Sequence, residues 1–241
     1  TTEAYSDLGP FLVQIQFHNN TYAINISMLH KTEYSVSLPS KGFNFQEAKT
    51  TLNEPLGRFF YDPWQVKPEY KNTIWEDLLK SLPVDQGEAR VIKLDYGTTY
   101  MSHTDIDDRW HLTLQGKRSY LIDLDEEQMF LTQPDGNWYE MNAGKRHVAS
   151  NYGNIHRYQL VVRKLLIESE HDNLVNIKIQ PVEELFDTRY QFDNLISPWL
   201  NTINKQGAMK DFNYENVTVT FKITPAALAT FPKQELFKVI T

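Results

Sequence analysis

The sequence predicts a mainly β protein, a double-stranded β-helix of the jelly-roll, cupin-like kind, with flanking helices and N- and C-terminal extensions. Two observations lead there. Residues 90–96, 100–103, 109–115, 119–124, 127–132, 137–141, 146–151 and 156–164 each have strand character, and no helical pattern comes between them. Turn chemistry separates them, as in Gln115-Gly116-Lys117 and Pro134-Asp135-Gly136-Asn137. Residues 88–165 are therefore the expected core, 1–87 an N-terminal flank that packs on it, and 166–241 a C-terminal extension. Together they are expected to make one compact domain.

In the flank, Val13, Ile15 and Phe17 alternate onto one face, and residues 22–26 repeat the habit after a turn at Asn19-Asn20. Residues 55–70 carry Pro55, Pro63 and Pro68, which forbid a continuous helix or a central strand. Phe59, Phe60, Tyr61, Trp64 and Tyr70 lie in the same stretch, and they either anchor the loop to the barrel or make it a lid over a substrate. From Thr73 the pattern turns helical. Thr73-Ile74-Trp75-Glu76 has capping-box form, Ile74, Trp75, Leu78, Leu79 and Leu82 make an apolar stripe, and Pro83 stops it. Beyond the core, 174–179 reads as a strand and 181–204 as partly helical, with Leu185, Phe186, Phe192, Leu195, Ile196, Trp199 and Leu200 expected inside. Val217, Val219, Phe221 and Ile223 alternate onto one face, and Thr224-Pro225 opens a terminal helix with proline at its first position.

Composition excludes several classes. A net charge of −7 and the lack of a basic run argue against nonspecific nucleic-acid binding, which depends on Lys and Arg neutralising phosphates. With no cysteine there are no disulfides and no thiolate metal clusters. No stretch approaches the roughly 20 apolar residues of a membrane helix. The leading residues TTEAYSDLG lack an apolar signal core, so the sequons at Asn19, Asn25 and Asn216 read as chance. The expectation is a soluble, cytoplasmic protein with neither nucleic acid nor membrane as partner.

The chemistry concentrates between residues 103 and 157. In His103-Thr104-Asp105 the outer two side chains share a face if the segment is extended, and His147 stands alone downstream. Two imidazoles and one carboxylate make up the facial triad that holds Fe(II) and leaves positions open. Arg157, one strand further on, carries the planar fork suited to a carboxylate. Strand parity puts Arg109, His111, Thr113 and Gln115 on one face against Trp110, Leu112 and Leu114 on the other, one lining a cavity and one packing. Likewise Arg157, Gln159 and Val161 oppose Tyr158, Leu160 and Val162.

The segments YGTTYMSHTDIDDRWHLTL and HVASNYGNIHRYQLVV resemble the Fe(II)/2-oxoglutarate-dependent dioxygenases. They are most similar to the aspartyl/asparaginyl β-hydroxylase-like branch, which includes proline cis-4-hydroxylases. The likeness covers roughly 88–165: a Gly-Thr before the first ligand, the Arg-x-His of Arg109 and His111, the distal histidine, a small-residue turn, an arginine and an apolar strand. It implies the same double-stranded β-helix, with His103, Asp105 and His147 as the iron ligands and catalytic centre. Arg157 would grip the distal carboxylate of the cosubstrate 2-oxoglutarate, and His111 and Arg109 would contact its other carboxylate or the substrate. One departure is Ile92, where some members place a serine that helps hold the distal carboxylate; Tyr96 or Tyr100 could supply a hydroxyl instead. Asn151 could support the site or simply form the turn with Gly153. With O2, the implied reaction is hydroxylation of an unactivated C–H of an amino acid, free or within a polypeptide. Asp105 favours hydroxylation over halogenation, since related halogenases lack the ligand carboxylate. The alternative is a non-catalytic cupin-like binding module with a vestigial metal site.

Overall fold

The computed structural model describes residues 27–168, 173–183 and 185–241, and the strands expected at 13–17 and 22–26 lie outside these. The described chain opens with β1 (Leu29–Ser35), β2 (Asn53–Pro55) and β3 (Trp64–Val66), then α1 (Ile74–Lys80). Eight strands follow without an intervening helix: β4 (Ala89–Leu94), β5 (Thr98–Thr99), β6 (Arg109–Gln115), β7 (Ser119–Asp123), β8 (Gln128–Thr132), β9 (Asn137–Met141), β10 (His147–Asn151) and β11 (Arg157–Arg163). The C-terminal part contains β12 (Val175–Pro181), α2 (Thr188–Leu195), α3 (Ser197–Lys205), β13 (Met209–Glu215), β14 (Thr218–Ile223), α4 (Pro225–Leu228) and β15 (Phe237–Ile240). No helix of the described residues is long and apolar enough to cross a membrane.

The protein is mainly β and its sheets are antiparallel. A five-stranded sheet runs β1-β9-β6-β11-β4, and a four-stranded sheet runs β5-β10-β7-β8. Within β4–β11 the pairings nest: β7 with β8, β6 with β9, β5 with β10 and β4 with β11. That is one long hairpin centred on the β7–β8 turn, folded over so that its rungs alternate between two sheets. The N-terminal flank adds β1 to the edge of the larger sheet, where Leu29 lies opposite Met141.

Strand parity holds as expected. Trp110, Leu112, Leu114, Leu160 and Val162 are buried on the outer face of the larger sheet, packed with Trp75, Leu78, Leu79 and Leu82 of the α1 region. Each such side chain contributes roughly 1.5–3 kcal/mol by leaving water. Ile74, at the first turn of α1, stays exposed. The cap differs from the simple box: Thr73 Oγ1 accepts from Trp75 N–H, while Glu76 reaches back to Asn72 N–H rather than to Thr73. Between the two sheets the apolar filling is small, with Leu94, Leu121, Met141 and Ala149 at its centre. The rest of that space is the site.

The C-terminal part has its own core. Phe192, Ile196, Trp199 and Leu200 are buried as expected, and so are Val217, Val219, Phe221 and Ile223 on one face. Leu185 and Phe186 are exposed instead, because α2 begins only at Thr188 and leaves them in the preceding loop. Thr224 caps α4 through Ala227 N–H, but α4 is short and the chain ends in β15, paired with β12. The aromatic loop at 55–70 anchors the flank to this core: Phe60 stacks edge-on against Phe212 at 5.1 Å, and Tyr61 OH accepts from Phe212 N–H.

Gly136, in the turn before β9, has φ +77°, and a Cβ there would lie 2.2 Å from the Val36 carbonyl oxygen. Because both the backbone region and the space require glycine, Gly136→Ala is expected to lower unfolding free energy by about 1–3 kcal/mol. A urea titration followed by tryptophan fluorescence measures this.

Candidate metal centre

The turn chemistry after β5 carries the chain back across β10. His103 and His147 form an isolated antiparallel bridge, with His103 N–H to His147 O at 3.1 Å and His147 N–H to His103 O at 2.9 Å. The strand expected over 100–103 is thus not formed: β5 ends at Thr99, and within 100–103 only the bridge at His103 remains. One residue past Thr104, Asp105 N–H bonds to Ala143 O at 2.7 Å, which fixes the carboxylate beside the two rings. The three side chains each present one ligand atom, all within 4.8 Å of one another.

The donors fit a divalent cation. His103 Nδ1 bonds to Met101 O at 2.9 Å and His147 Nδ1 to Lys145 O at 2.8 Å. A carbonyl accepts only, so each Nδ1 carries the proton and each Nε2 turns a lone pair inward. Those Nε2 atoms stand 3.8 and 3.6 Å from Asp105 Oδ2. That is too long for a hydrogen bond, yet below the sum of two ligand bonds of about 2.1 Å each. Burial pushes the His147 imidazole down to about 4, more than the nearby Asp105 raises it. At neutral pH it is therefore an uncharged donor available to a metal rather than half of a salt bridge.

Asp105 is kept ionised from behind. Burial opposes its charge, but Arg109, His147 and His103 outweigh that and hold the carboxyl at about 2. Arg109 Nη2 donates to Oδ1 at 2.7 Å, leaving Oδ2 for the histidines. Arg109 thus engages the triad's carboxylate directly, while its Nε is buried without a partner. Asp107, also buried, takes a bidentate pair from Arg163 at 2.5 and 2.7 Å.

The triad opens onto a cavity of about 430 Å³ between the two sheets, whose wall includes Arg109, His111, Arg157 and Gln159. Arg157 is 3% exposed, and no carboxylate of the described residues meets it. Its Nε has no partner, and Nη1 makes only a marginal 3.5 Å contact with Tyr120 O. Burial pulls this guanidinium down to about 10, so it remains charged at neutral pH. His111 Nδ1 meets Gln159 Oε1 at 3.3 Å, and burial pushes its imidazole down to about 3. Its Nε2 is buried in the wall without a partner.

All six site residues expected from the sequence therefore line one cavity. Ile92 and Tyr100 line it too, whereas Tyr96 is exposed and lies against His156. Asn151 forms the turn: its side chain bonds to Leu94 O, Ile155 O and Gly153 N–H. None of the aromatics at 55–70 lines the cavity. The sequence marks Gln159 only by its parity with Arg157, which puts it on the same wall; it links His111 to Thr113 through Nε2 and Thr113 Oγ1 at 3.0 Å. The Arg163–Asp107 pair left no sequence signal, since its members are 56 residues apart. No family model and no curated protein matches the chain.

Because Arg109 holds the ligand carboxylate, Arg109→Met is expected to weaken divalent-metal binding by about 10–100-fold, the usual effect of losing a residue behind a ligand. His147→Ala should abolish one-to-one binding altogether. Anaerobic Fe(II) titration against a competing chelator reads both. Full stoichiometry and affinity in the His147 variant would remove that residue from the ligand set.

Proposed function

We propose that this chain is an Fe(II)- and 2-oxoglutarate-dependent dioxygenase that hydroxylates an unactivated C–H of an amino acid, on a double-stranded β-helix. The nested pairing of β4–β11 into two facing sheets supports the jelly-roll assignment, because that order arises when one long hairpin is rolled up. The observation that carries the functional reading is Arg157. A buried guanidinium with no counter-ion among the described residues is costly, and its place in the wall of the triad's own cavity offers the missing anion a site.

The residues divide the work. His103, His147 and Asp105 hold the iron, with both imidazoles pinned through Nδ1 and the carboxylate pinned by Arg109. Arg157 binds the distal carboxylate of 2-oxoglutarate through its fork, and the buried wall around it keeps water from competing. His111, oriented by Gln159, lines the cavity that the triad and Arg157 share and would contact the cosubstrate there. With O2 and 2-oxoglutarate, bound iron supplies the oxidising power, and the protein contributes position and exclusion of water.

Arg157 also supplies the test. Leaving one partner of a buried pair unmatched costs on the order of 3–5 kcal/mol when burial is complete. Arg157→Ala is accordingly expected to raise the 2-oxoglutarate KM roughly a hundredfold or more, at about 1.4 kcal/mol per decade. Iron affinity should stay near wild type, and Arg157→Lys should recover only part, having charge without the fork. Succinate formation by the purified protein with Fe(II), O2 and a panel of amino acids and peptides measures it. An Arg157→Ala protein that is less stable but keeps its 2-oxoglutarate KM would mark the arginine as structural.

A further inference from the structure

The geometry points to a second carboxylate subsite in the cavity, on Arg90, for a substrate that brings a free carboxylate of its own. The class is a small carboxylic acid such as an unblocked amino acid, rather than a residue inside a polypeptide. This rests on the hydroxylase reading above.

Register places Arg90 on the inner wall. On β4 it lies opposite Val161 of β11, and Val161 lies opposite His111 of β6, so the three side chains form one row facing the cavity. Neighbouring strands are about 4.8 Å apart, which puts the Arg90 backbone roughly 10 Å from that of His111. Arg157 lies opposite Leu94, four residues along β4 from Arg90, or about 13 Å at 3.3 Å per residue. A five-carbon diacid spans at most about 6 Å between its carboxyl carbons, at about 1.5 Å per bond. A cosubstrate engaged by Arg157 therefore leaves the far end of the row to another molecule.

The charges in the wall agree. Among the described residues it holds three arginines that face inward, Arg90, Arg109 and Arg157, and one carboxylate, Asp105. Arg109 is taken by Asp105 at 2.7 Å, and Lys93, opposite Tyr158, points to the outer face. Arg90 has only Glu88, whose Oε2 is 3.5 Å from its Nε. Glu88 is shared, lying 3.7 Å from Arg163 Nη1 and accepting from Thr51 Oγ1 at 3.3 Å. The two terminal nitrogens of Arg90 have no partner among the described residues, and the side chain is about a third exposed (32%), as an entrance group must be. A planar fork with both ends free, beside a cavity whose one carboxylate among the described residues is already paired, suits a carboxylate and not a neutral amide.

The test is direct binding without turnover. The protein is loaded with Mn(II) and 2-oxoglutarate under argon and titrated with the free proteinogenic amino acids, their carboxamides, and peptides blocked at both ends. At least one free acid is expected to bind roughly tenfold or more tightly than its amide, since charge-assisted hydrogen bonds are lost in the amide. Arg90→Met should erase that preference, and Arg90→Lys should restore part of it. Aerobic assays of the same panel should show the KM for the preferred acid rising in Arg90→Met while the 2-oxoglutarate dissociation constant holds. A blocked peptide bound as tightly as the free acid, a preference that survives Arg90→Met, or no Arg90-dependent ligand in the panel overturns the subsite. Wild-type protein that fails to bind 2-oxoglutarate at all sinks the hydroxylase reading beneath it, so the two failures are told apart.

Discussion

The site depends on one backbone contact, the reciprocal pair of hydrogen bonds between His103 and His147. These residues are far apart in sequence, and only His147 belongs to a longer strand pair there, β10 with β7. The bridge brings their rings to 4.4 Å between centroids. It also sets the direction of the chain at Thr104, so that Asp105 arrives on the same side. The nested hairpin of β4–β11 makes the bridge possible, since β5 must already lie against β10 for residue 103 to meet residue 147.

Around that bridge the C-terminal part acts as a clamp. Thr104, between His103 and Asp105, donates its hydroxyl to the Asp193 carbonyl at the end of α2. Lys205 of α3 reaches Asn142 Oδ1 at 2.9 Å and Asp108 Oδ2 at 3.1 Å, on either side of the ligand loops. Ala143 N–H, meanwhile, bonds to Asp108 Oδ1, and Ala143 O holds Asp105. An apolar extension packed elsewhere would leave these loops to solvent, where the ligands would lose their fixed geometry.

The buried charges divide into two kinds. Asp105 with Arg109, and Asp107 with Arg163, are matched at hydrogen-bond distance, so each offsets the desolvation of the other. Arg157 is unmatched among the described residues, and a fold selected for stability alone has no use for it. Local cost concentrated at a cavity, with satisfied pairs on its far side, is the pattern expected where binding supplies the missing partner.

Much of this was legible in the chain itself. The run of strand patterns without helices, the parity of Arg109 and His111 against Trp110 and Leu112, and the stripe of α1 follow from the two-residue and 3.6-residue periods that the backbone imposes on any sequence. The site residues were readable because their chemistry is rare and their spacing local: His103 with Asp105, Arg109 with His111. Other features were decided only by tertiary structure. Arg109 turning to Asp105, Gln159 orienting His111, Asp107 pairing with Arg163 and Thr104 bonding to α2 all join segments whose separation carries no periodic signal. Phe186, apolar and yet exposed, shows the same limit from the other side, because hydrophobicity states a preference and only packing supplies the neighbour. Periodicity determines which face a side chain takes, whereas its partner is set by which strands the rolled hairpin brings together.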